Sequence, residues 1–493
     1  MQYLPTLLVD GYKVGHIRQY PKGTTLVYSN LTARKGRDSS FDGIVFYGLQ
    51  AFIKEYLIDQ FNKNFFNKPL DEVLKQYARR IDNYLGKGAM TYDHIADLHK
   101  LGYLPICIKA VPEGTFVPYG VPCLTIYNTD PKFFWITNSL ETLMSTELWK
   151  SCTSATSSRQ FRKTFEKWSK ITVSDEPNPF VMFQGHDFSF RGMSGVADAA
   201  LSGSAHLLSF VGTDTVPAID FLEYYYGANV EKELVGVSVP ATEHSVMCMG
   251  LEESERETFR RLVEDVYPSG IVSIVSDTWD FWNVITNIIP SLKTSIMARN
   301  GKTVCRPDSG CPVKIIVGDP NAPVDSPEYK GAIQCLDETF GHTITSKGYK
   351  VLDSHIGLIY GEQITRERQE QILSGLAAKG YASDNVVLGV GSYNYQYVTR
   401  DTHGFAIKAT YGETEDGTMA IYKAPKTDTD GVKKSAKGLL KVYRKDGKLT
   451  LQDQVDWSQQ AEGELEVVFF NGKLTRYDTL AEIRALVESG LHL

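Results

Sequence analysis

Ile271-Val272-Ser273-Ile274-Val275-Ser276-Asp277 is a short run of apolar, mostly β-branched residues that stops at a serine and a carboxylate. Runs of this length bounded by turn chemistry read as buried strands of the kind parallel sheets favour. The pattern recurs on both sides of it. Thr303-Val304-Cys305 ends at Arg306-Pro307-Asp308-Ser309-Gly310, and Leu234 to Val239 ends at Thr242-Glu243-His244-Ser245. Further upstream, Leu207 to Val211 leads to Gly212-Thr213-Asp214-Thr215, and Phe180 to Phe183 leads to His186-Asp187-Phe188-Ser189-Phe190-Arg191-Gly192. Helical spacing lies between the runs; Glu253 to Tyr267 puts Phe259, Leu262, Val263 and Val266 on one face. Alternating strand and helix predicts parallel βα units with right-handed crossovers. If such units close into a barrel, the residues that follow each strand share one rim. Asp214, His244, Asp277, Arg306 and Asp308 are therefore expected to converge on one pocket.

The series extends past Gly310. Lys314 to Val317 reads as a strand, Gly318 to Glu328 as a Pro/Asp-rich loop, Ile333 to Phe340 as a helix and Ser354 to Tyr360 as a strand ending at Gly361-Glu362. Thr365 to Lys379 reads as a helix, and Asn385 to Leu388 as a strand ending at Gly389-Val390-Gly391-Ser392. Before the series, Leu26 to Leu31 is strand-like, Phe52 to Leu85 is helical with a break at Asn67-Lys68-Pro69, Ile106 to Tyr127 alternates as antiparallel strands, and Phe134 to Lys167 is helical in one or two pieces. From Gly404 onward, short alternating strands lead to a final helix, Leu480 to Leu491. The expected fold is α/β: an irregular, TIM-like α/β barrel over residues 179–401, with a β-rich domain built from the N- and C-terminal segments, 1–178 and 402–493.

The chain is long enough, at 493 residues, for two or three domains. A net charge of −7 argues against nucleic acid or an anionic membrane as the main partner. The seven cysteines are scattered and form no Cys-x-x-Cys, a reduced pattern rather than a disulfide or zinc framework. No stretch approaches the ~20 apolar residues of a membrane span, and the N-terminus shows no basic, apolar leader, so the expected compartment is the cytoplasm.

Phosphate-loop motifs fail on spacing. Asn300-Gly301-Lys302-Thr303 lacks the first P-loop glycine, which would fall on Ile296, and Gly389-Val390-Gly391 lacks the third glycine of a dinucleotide fingerprint. Gly389 and Gly391, with Gly361, suit either a backbone N–H cradle for phosphate or plain turns. Arg306 and Asp308 suit either a phosphate fork and a hard-cation ligand or a structural ion pair. Thr242 reads as a helix N-cap. Glu243 and His244 offer an acid beside a titratable imidazole, though a lone histidine is commonly packing. Asp214 can accept from an amide NH₂ or cap the next helix. Phe188 and Phe190 can stack on a planar ring or fill core.

Taken in order, Asp10-Gly-Tyr-Lys-Val-Gly-His16, Tyr20-Pro21, His186-Asp-Phe-Ser-Phe-Arg-Gly192, Gly212-Thr-Asp-Thr-Val216, Glu243-His-Ser245, Val275-Ser-Asp277 and Arg306-Pro-Asp-Ser-Gly310 resemble the nicotinamide phosphoribosyltransferase family, type II enzymes related to the nicotinate phosphoribosyltransferases. The resemblance runs nearly end to end. It implies transfer of phosphoribose from phosphoribosyl pyrophosphate to nicotinamide, giving nicotinamide mononucleotide and pyrophosphate, by a homodimer with shared sites. It further implies that Phe188 and the partner's Tyr12 sandwich the pyridine ring. Asp214 would accept from the carboxamide, and Arg191 and Arg306 would hold ring amide and phosphate. Asp277 and Asp308 would face ribose and the Mg²⁺–pyrophosphate, while Arg34, Arg400 and Lys423 would grip pyrophosphate. His244, oriented by Glu243, would be phosphorylated by ATP. Two positions depart from the family: Glu362 stands where Gly361 is normally followed by aspartate, and Ser392 follows Gly391 where glycine is expected. The alternatives are a nicotinate phosphoribosyltransferase, against which Asp214 speaks because two facing carboxylates repel, and a non-catalytic binding role on the same scaffold.

Overall fold

The computed structural model describes residues 3–427 and 435–492. The chain divides into two compact units: residues 157–221 with 229–397, and residues 1–156 with 222–228 and 398–493. The boundary at Thr156 and Ser157 falls inside the long helix Glu141–Thr172.

The first unit carries a six-stranded parallel sheet. Its strands, in spatial order, are Gly212–Thr213, Gly185–Asp187, Val386–Val390, Ile356–Tyr360, Asn300–Arg306 and Ser269–Val275. The two outer strands are joined through the segment 237–241. Val237 bridges to Gly212, and Ala241 bridges to Ser273, both in parallel sense. Val237 N donates to Val211 O at 2.7 Å and Ser273 N to Pro240 O at 2.9 Å, so the sheet closes into an irregular barrel. Pro240 has no N–H to give, which keeps this segment at isolated bridges rather than a ladder. The barrel core is aliphatic and aromatic, with Val272, Ile274, Leu358, Leu388 and Val390 at 2% exposure or less.

Four expected strands are not strands. Leu234 to Val239 holds only the isolated bridge at Val237. Phe180 to Phe183 is mostly the helical turn Val181–Gln184, and the strand begins at Gly185. Leu207 to Val211 closes the helix Val196–His206 and turns, the strand being only Gly212–Thr213. Lys314 to Val317 belongs to the helix Pro312–Val317: Pro312 has the φ of a first helical position, and Gly318 at φ 112° stops it. Short apolar runs do not distinguish a buried strand from a buried helical turn.

The second unit holds a seven-stranded sheet in the order Gly417–Ala420, Phe405–Thr414, Thr24–Ala33, Pro122–Asn128, Ile106–Ala110, Glu466–Phe470 and Lys473–Leu474. Every pairing is antiparallel, and the strands come from both ends of the chain. One face packs on a large core that includes Leu31, Leu124, Ile126, Ile106 and Ile108. Glu113 is fully buried in this unit. Its carboxylate accepts from Gln50 N, from Gly48 N at 2.7 Å and from Tyr226 Oη at 2.8 Å. Among the described residues no helix is long and apolar enough to cross a membrane.

Candidate active site

The C-terminal ends of the parallel strands surround a cavity of about 1000 Å³ lined by Phe188, Arg191, Asp214, Arg306, Asp308, Gly361, Glu362, Gly391 and Ser392, among others. Ten of the residues singled out in the sequence, Phe190 included, are thus brought together from five strand ends, whereas His244 and Asp277, expected in the same pocket, are not among its lining residues.

Phe188 follows the strand Gly185–Asp187, and its N donates to Val390 O at 3.1 Å. The ring needs a glycine at 389, while Gly361 lies at ordinary contact distance from it. A Cβ on Gly389 would lie 2.4 Å from Phe188 Cδ2, and one on Gly361 would lie 3.4 Å from it. Gly389 is therefore a packing glycine within its strand, whereas Gly391 lines the cavity.

Asp214 caps nothing; Thr213 Oγ1 accepts from Thr215 N instead. Its Oδ1 accepts from His186 Nε2 at 2.9 Å and from Ser238 Oγ at 2.7 Å. Burial alone would raise its pKa, but the hydrogen bonds from His186 and Ser238 and the charge of Arg306 outweigh burial and hold it below the ordinary carboxylate value.

Asp277 and Asp308 are linked through the backbone: Asp308 N donates to Asp277 Oδ2 at 2.9 Å. Asp277 is nearly buried and its Oδ1 accepts no well-formed hydrogen bond, while His244 Nε2 lies 3.3 Å from it, within reach of an ion pair once the imidazole is protonated. Glu243, the residue next to His244, accepts from Ser245 Oγ. Thr242 is not the helix cap; its Oγ1 accepts from Val275 N at 2.9 Å, and its carbonyl accepts from Arg306 Nη2. No ion pair joins Arg306 to Asp308 among the described residues, and the buried Arg306 Nε has no hydrogen-bond partner. Tyr360 Oη donates to Ser309 O and Gly310 O at 2.8 and 3.0 Å, which pins the loop that carries Asp308.

Glu362 is exposed. Partial burial, then Asp308, raise its pKa, against the opposing charge of Arg191. Ser392 Oγ lies over Gly192, where an added Cβ would meet it at an impossibly short distance. Gln363, Thr365, Glu367, Arg368, Gln371 and Tyr393 also line the cavity, and no motif or spacing marks them. Gln363 to Gln371 belong to the turn after Gly361 and the first turns of the helix Arg366–Ala378, and Tyr393 to the short helix Ser392–Gln396, regions where no hydrophobic period marks a position.

Tyr12, Arg34, Arg400 and Lys423 lie in the unit of the antiparallel sheet. Tyr12 is 65% exposed on the turn Gly11–Arg18, which is anchored by the buried Lys13 on Glu141 at 2.6 Å and by Thr142 Oγ1 on Asp10 at 2.7 Å. Arg34 Nε donates to Gly404 O at 3.1 Å, and exposed Arg400 stands 3.3 Å from Asp401. Lys408, missed in the sequence, is half-buried. Its pKa is lowered by burial first and then by Arg34, Lys423 and Lys13, with Glu141 opposing. Arg34, Lys408 and Lys423 thus form a cluster of like charge suited to an anion.

The model of the nicotinate phosphoribosyltransferase (NAPRTase) family matches residues 183–467. The chain belongs to that family. Residues 6–108 also match the model of the nicotinamide phosphoribosyltransferase N-terminal domain. A nicotinamide phosphoribosyltransferase of Acinetobacter baylyi is 53% identical over 97% of this chain and 96% of its own. One of Xanthomonas campestris pv. campestris is 35% identical over 98% of each. Among solved structures, a nicotinate-nucleotide pyrophosphorylase from Pyrococcus furiosus has a TM-score of 0.59 at 14% identity, covering 99% of this chain and 96% of that one. Human nicotinic acid phosphoribosyltransferase has a TM-score of 0.54 at 14% identity, covering 99% and 94%. These two likenesses show the family's fold, an α/β unit with a parallel sheet beside separate antiparallel sheets. As a NAPRTase-family member, the chain is a phosphoribosyltransferase.

Proposed function

We propose that the chain transfers phosphoribose from phosphoribosyl pyrophosphate to nicotinamide, releasing pyrophosphate and forming nicotinamide mononucleotide for NAD biosynthesis. The observation that carries this reading is Asp214, a carboxylate held ionised on the wall of a cavity that also presents Phe188, Arg306 and Asp308. An ionised carboxylate accepts from a carboxamide NH₂ and repels a substrate carboxylate. Phe188 offers its face to the pyridine ring, and the unpartnered Arg306 Nε is a donor for the amide oxygen or the 5′-phosphate.

In the reaction the bond from ribose C1 to the pyrophosphate oxygen breaks, and the bond from C1 to the pyridine nitrogen forms. Positive charge develops on the sugar between those events. Asp277 and Asp308 are assigned to stabilise it with fixed negative charge. The same pair suits Mg²⁺, which binds through one or two carboxylates plus substrate phosphates, and the buried Asp277 Oδ1, which accepts no well-formed hydrogen bond and has His244 Nε2 3.3 Å away, fits such a ligand. Bound there, the ion would neutralise the departing pyrophosphate. Gly361 and Glu362 are assigned to ribose, and Gly391 and Ser392 to phosphate.

The cluster of Arg34, Lys408 and Lys423, with Arg400, is assigned to pyrophosphate, and Tyr12 to the free face of the pyridine. Both assignments belong to a cytoplasmic homodimer in which each site draws on two subunits. His244 is assigned as the acceptor of the ATP γ-phosphate, with Asp277 rather than Glu243 as the carboxylate beside its Nε2. The experiment is to assay purified protein for mononucleotide from nicotinamide and from nicotinate, with and without ATP. Predominant use of nicotinate would overturn the substrate assignment. No product from either would favour a binding role.

A further inference from the structure

Resting on the reading that Asp214 receives the carboxamide, we propose that His186 and Ser238 are positioning residues that set the enzyme's choice of amide over acid. Both donate to one oxygen of Asp214, Oδ1, at 2.9 and 2.7 Å. Among the described residues, Oδ2 accepts no hydrogen bond. A carboxylate with one oxygen tied by two donors cannot swing, so its second oxygen is presented to the cavity in a single orientation and in the ionised state.

The sequence builds this clamp from three segments. His186 lies in the strand Gly185–Asp187, pairs with Gly212 on one side and Gly389 on the other, and is buried. Glycine at 212 makes room for its ring, since a Cβ there would lie 2.7 Å from His186 Nδ1. Donation from Nε2 fixes the tautomer that carries the Nε2 proton, with Nδ1 left as the acceptor nitrogen. The His186 ring centroid is 4.6 Å from that of Phe188, tilted by 39°. One imidazole therefore touches both the aromatic platform and the carboxylate that would read the exocyclic group. Ser238 comes from the opposite side, on the segment that closes the barrel, where Val237 bridges to Gly212. The barrel's closure and the orientation of Asp214 are thus one arrangement. The donors also act on discrimination: the more firmly Asp214 is kept anionic and in place, the worse a substrate carboxylate fares opposite it.

The test compares Ser238→Ala, His186→Leu and His186→Gln with the parent enzyme, measuring kcat and KM separately for nicotinamide, nicotinate and phosphoribosyl pyrophosphate. Ser238 is exposed, so its alanine variant keeps the fold even if a change at buried His186 does not. Loss of one donor to a charged acceptor is expected to raise the nicotinamide KM about tenfold. The KM for phosphoribosyl pyrophosphate should stay within about twofold, and the preference for nicotinamide over nicotinate should fall by a similar factor. Gln at 186, which can still place an N–H near the Nε2 position, should recover most of the preference that Leu loses. A merely structural role would lower kcat for both bases together and leave their ratio intact. An unchanged ratio in Ser238→Ala and in both His186 variants would overturn the clamp. Failure of the parent enzyme to use nicotinamide would overturn the underlying reading before any variant is made.

Discussion

His244 Nε2 stands 3.3 Å from Asp277 Oδ1, and the other oxygen of the same carboxylate receives the backbone N–H of Asp308. One nearly buried aspartate therefore joins the histidine to the loop that carries the second acid. Replacing His244 with alanine is expected to abolish ATP stimulation while leaving basal transfer measurable. Rates at saturating substrates with and without ATP check this, and undiminished ATP coupling would remove His244 from that role.

Asp214→Asn keeps the shape of the side chain and removes its charge. Nicotinamide use should weaken by about tenfold or more, and nicotinate should become a measurable substrate. Competition between the two bases, read from product ratios, decides it. If selectivity is unchanged, Asp214 does not read the exocyclic group.

Gly389→Ala would force a methyl group to within 2.4 Å of Phe188 Cδ2 and 2.8 Å of Gly361 Cα. Overpacking of this kind costs about 1–3 kcal/mol, and relief requires the ring to move. The expected result is a lowered Tm together with a raised nicotinamide KM, by calorimetry and steady-state kinetics. A fall in Tm with unaltered KM would show that Phe188 does not contact the base.

Glu255 gives a pH signature. Burial, then Asp280 and Glu252, push its carboxyl up to about 7, and its Oε1 has no hydrogen-bond partner. The folded value lies above the ordinary one of 4.5. The fold therefore favours the protonated form, and stability is highest below the unfolded value and declines as pH rises through about 7. Tm should fall between pH 5 and pH 8, and by less in Glu255→Gln. Parallel curves for the two proteins would show that Glu255 titrates normally.

The legible parts of the sequence were those where a strand carries a short apolar or β-branched run. Ser269–Val275, Asn300–Arg306, Ile356–Tyr360 and Val386–Val390 all appear where β-branched runs meet turn residues. The strand Gly185–Asp187 was hidden because its residues are glycine, histidine and aspartate, none of which favours a strand. Its apolar prelude, Val181–Gln184, is a helical turn that mimics a strand in composition. At the site, residues on the turns directly after strands were readable from type and place. Gln363 to Gln371 were not, since their presence in the cavity wall depends on how the turn after Gly361 folds. The partner of His244 was likewise invisible: adjacency in sequence suggested Glu243, and the barrel supplied Asp277 from the next strand.

The strand Thr24–Ala33 leaves the ribosome long before its antiparallel neighbour, Phe405–Thr414, is made. Throughout that interval the nascent sheet offers an open hydrogen-bonding edge along Leu26 to Leu31, a template for unwanted pairing with other chains. Yield of active protein should therefore respond to elongation rate and to holdase chaperones more than to changes in the finished core.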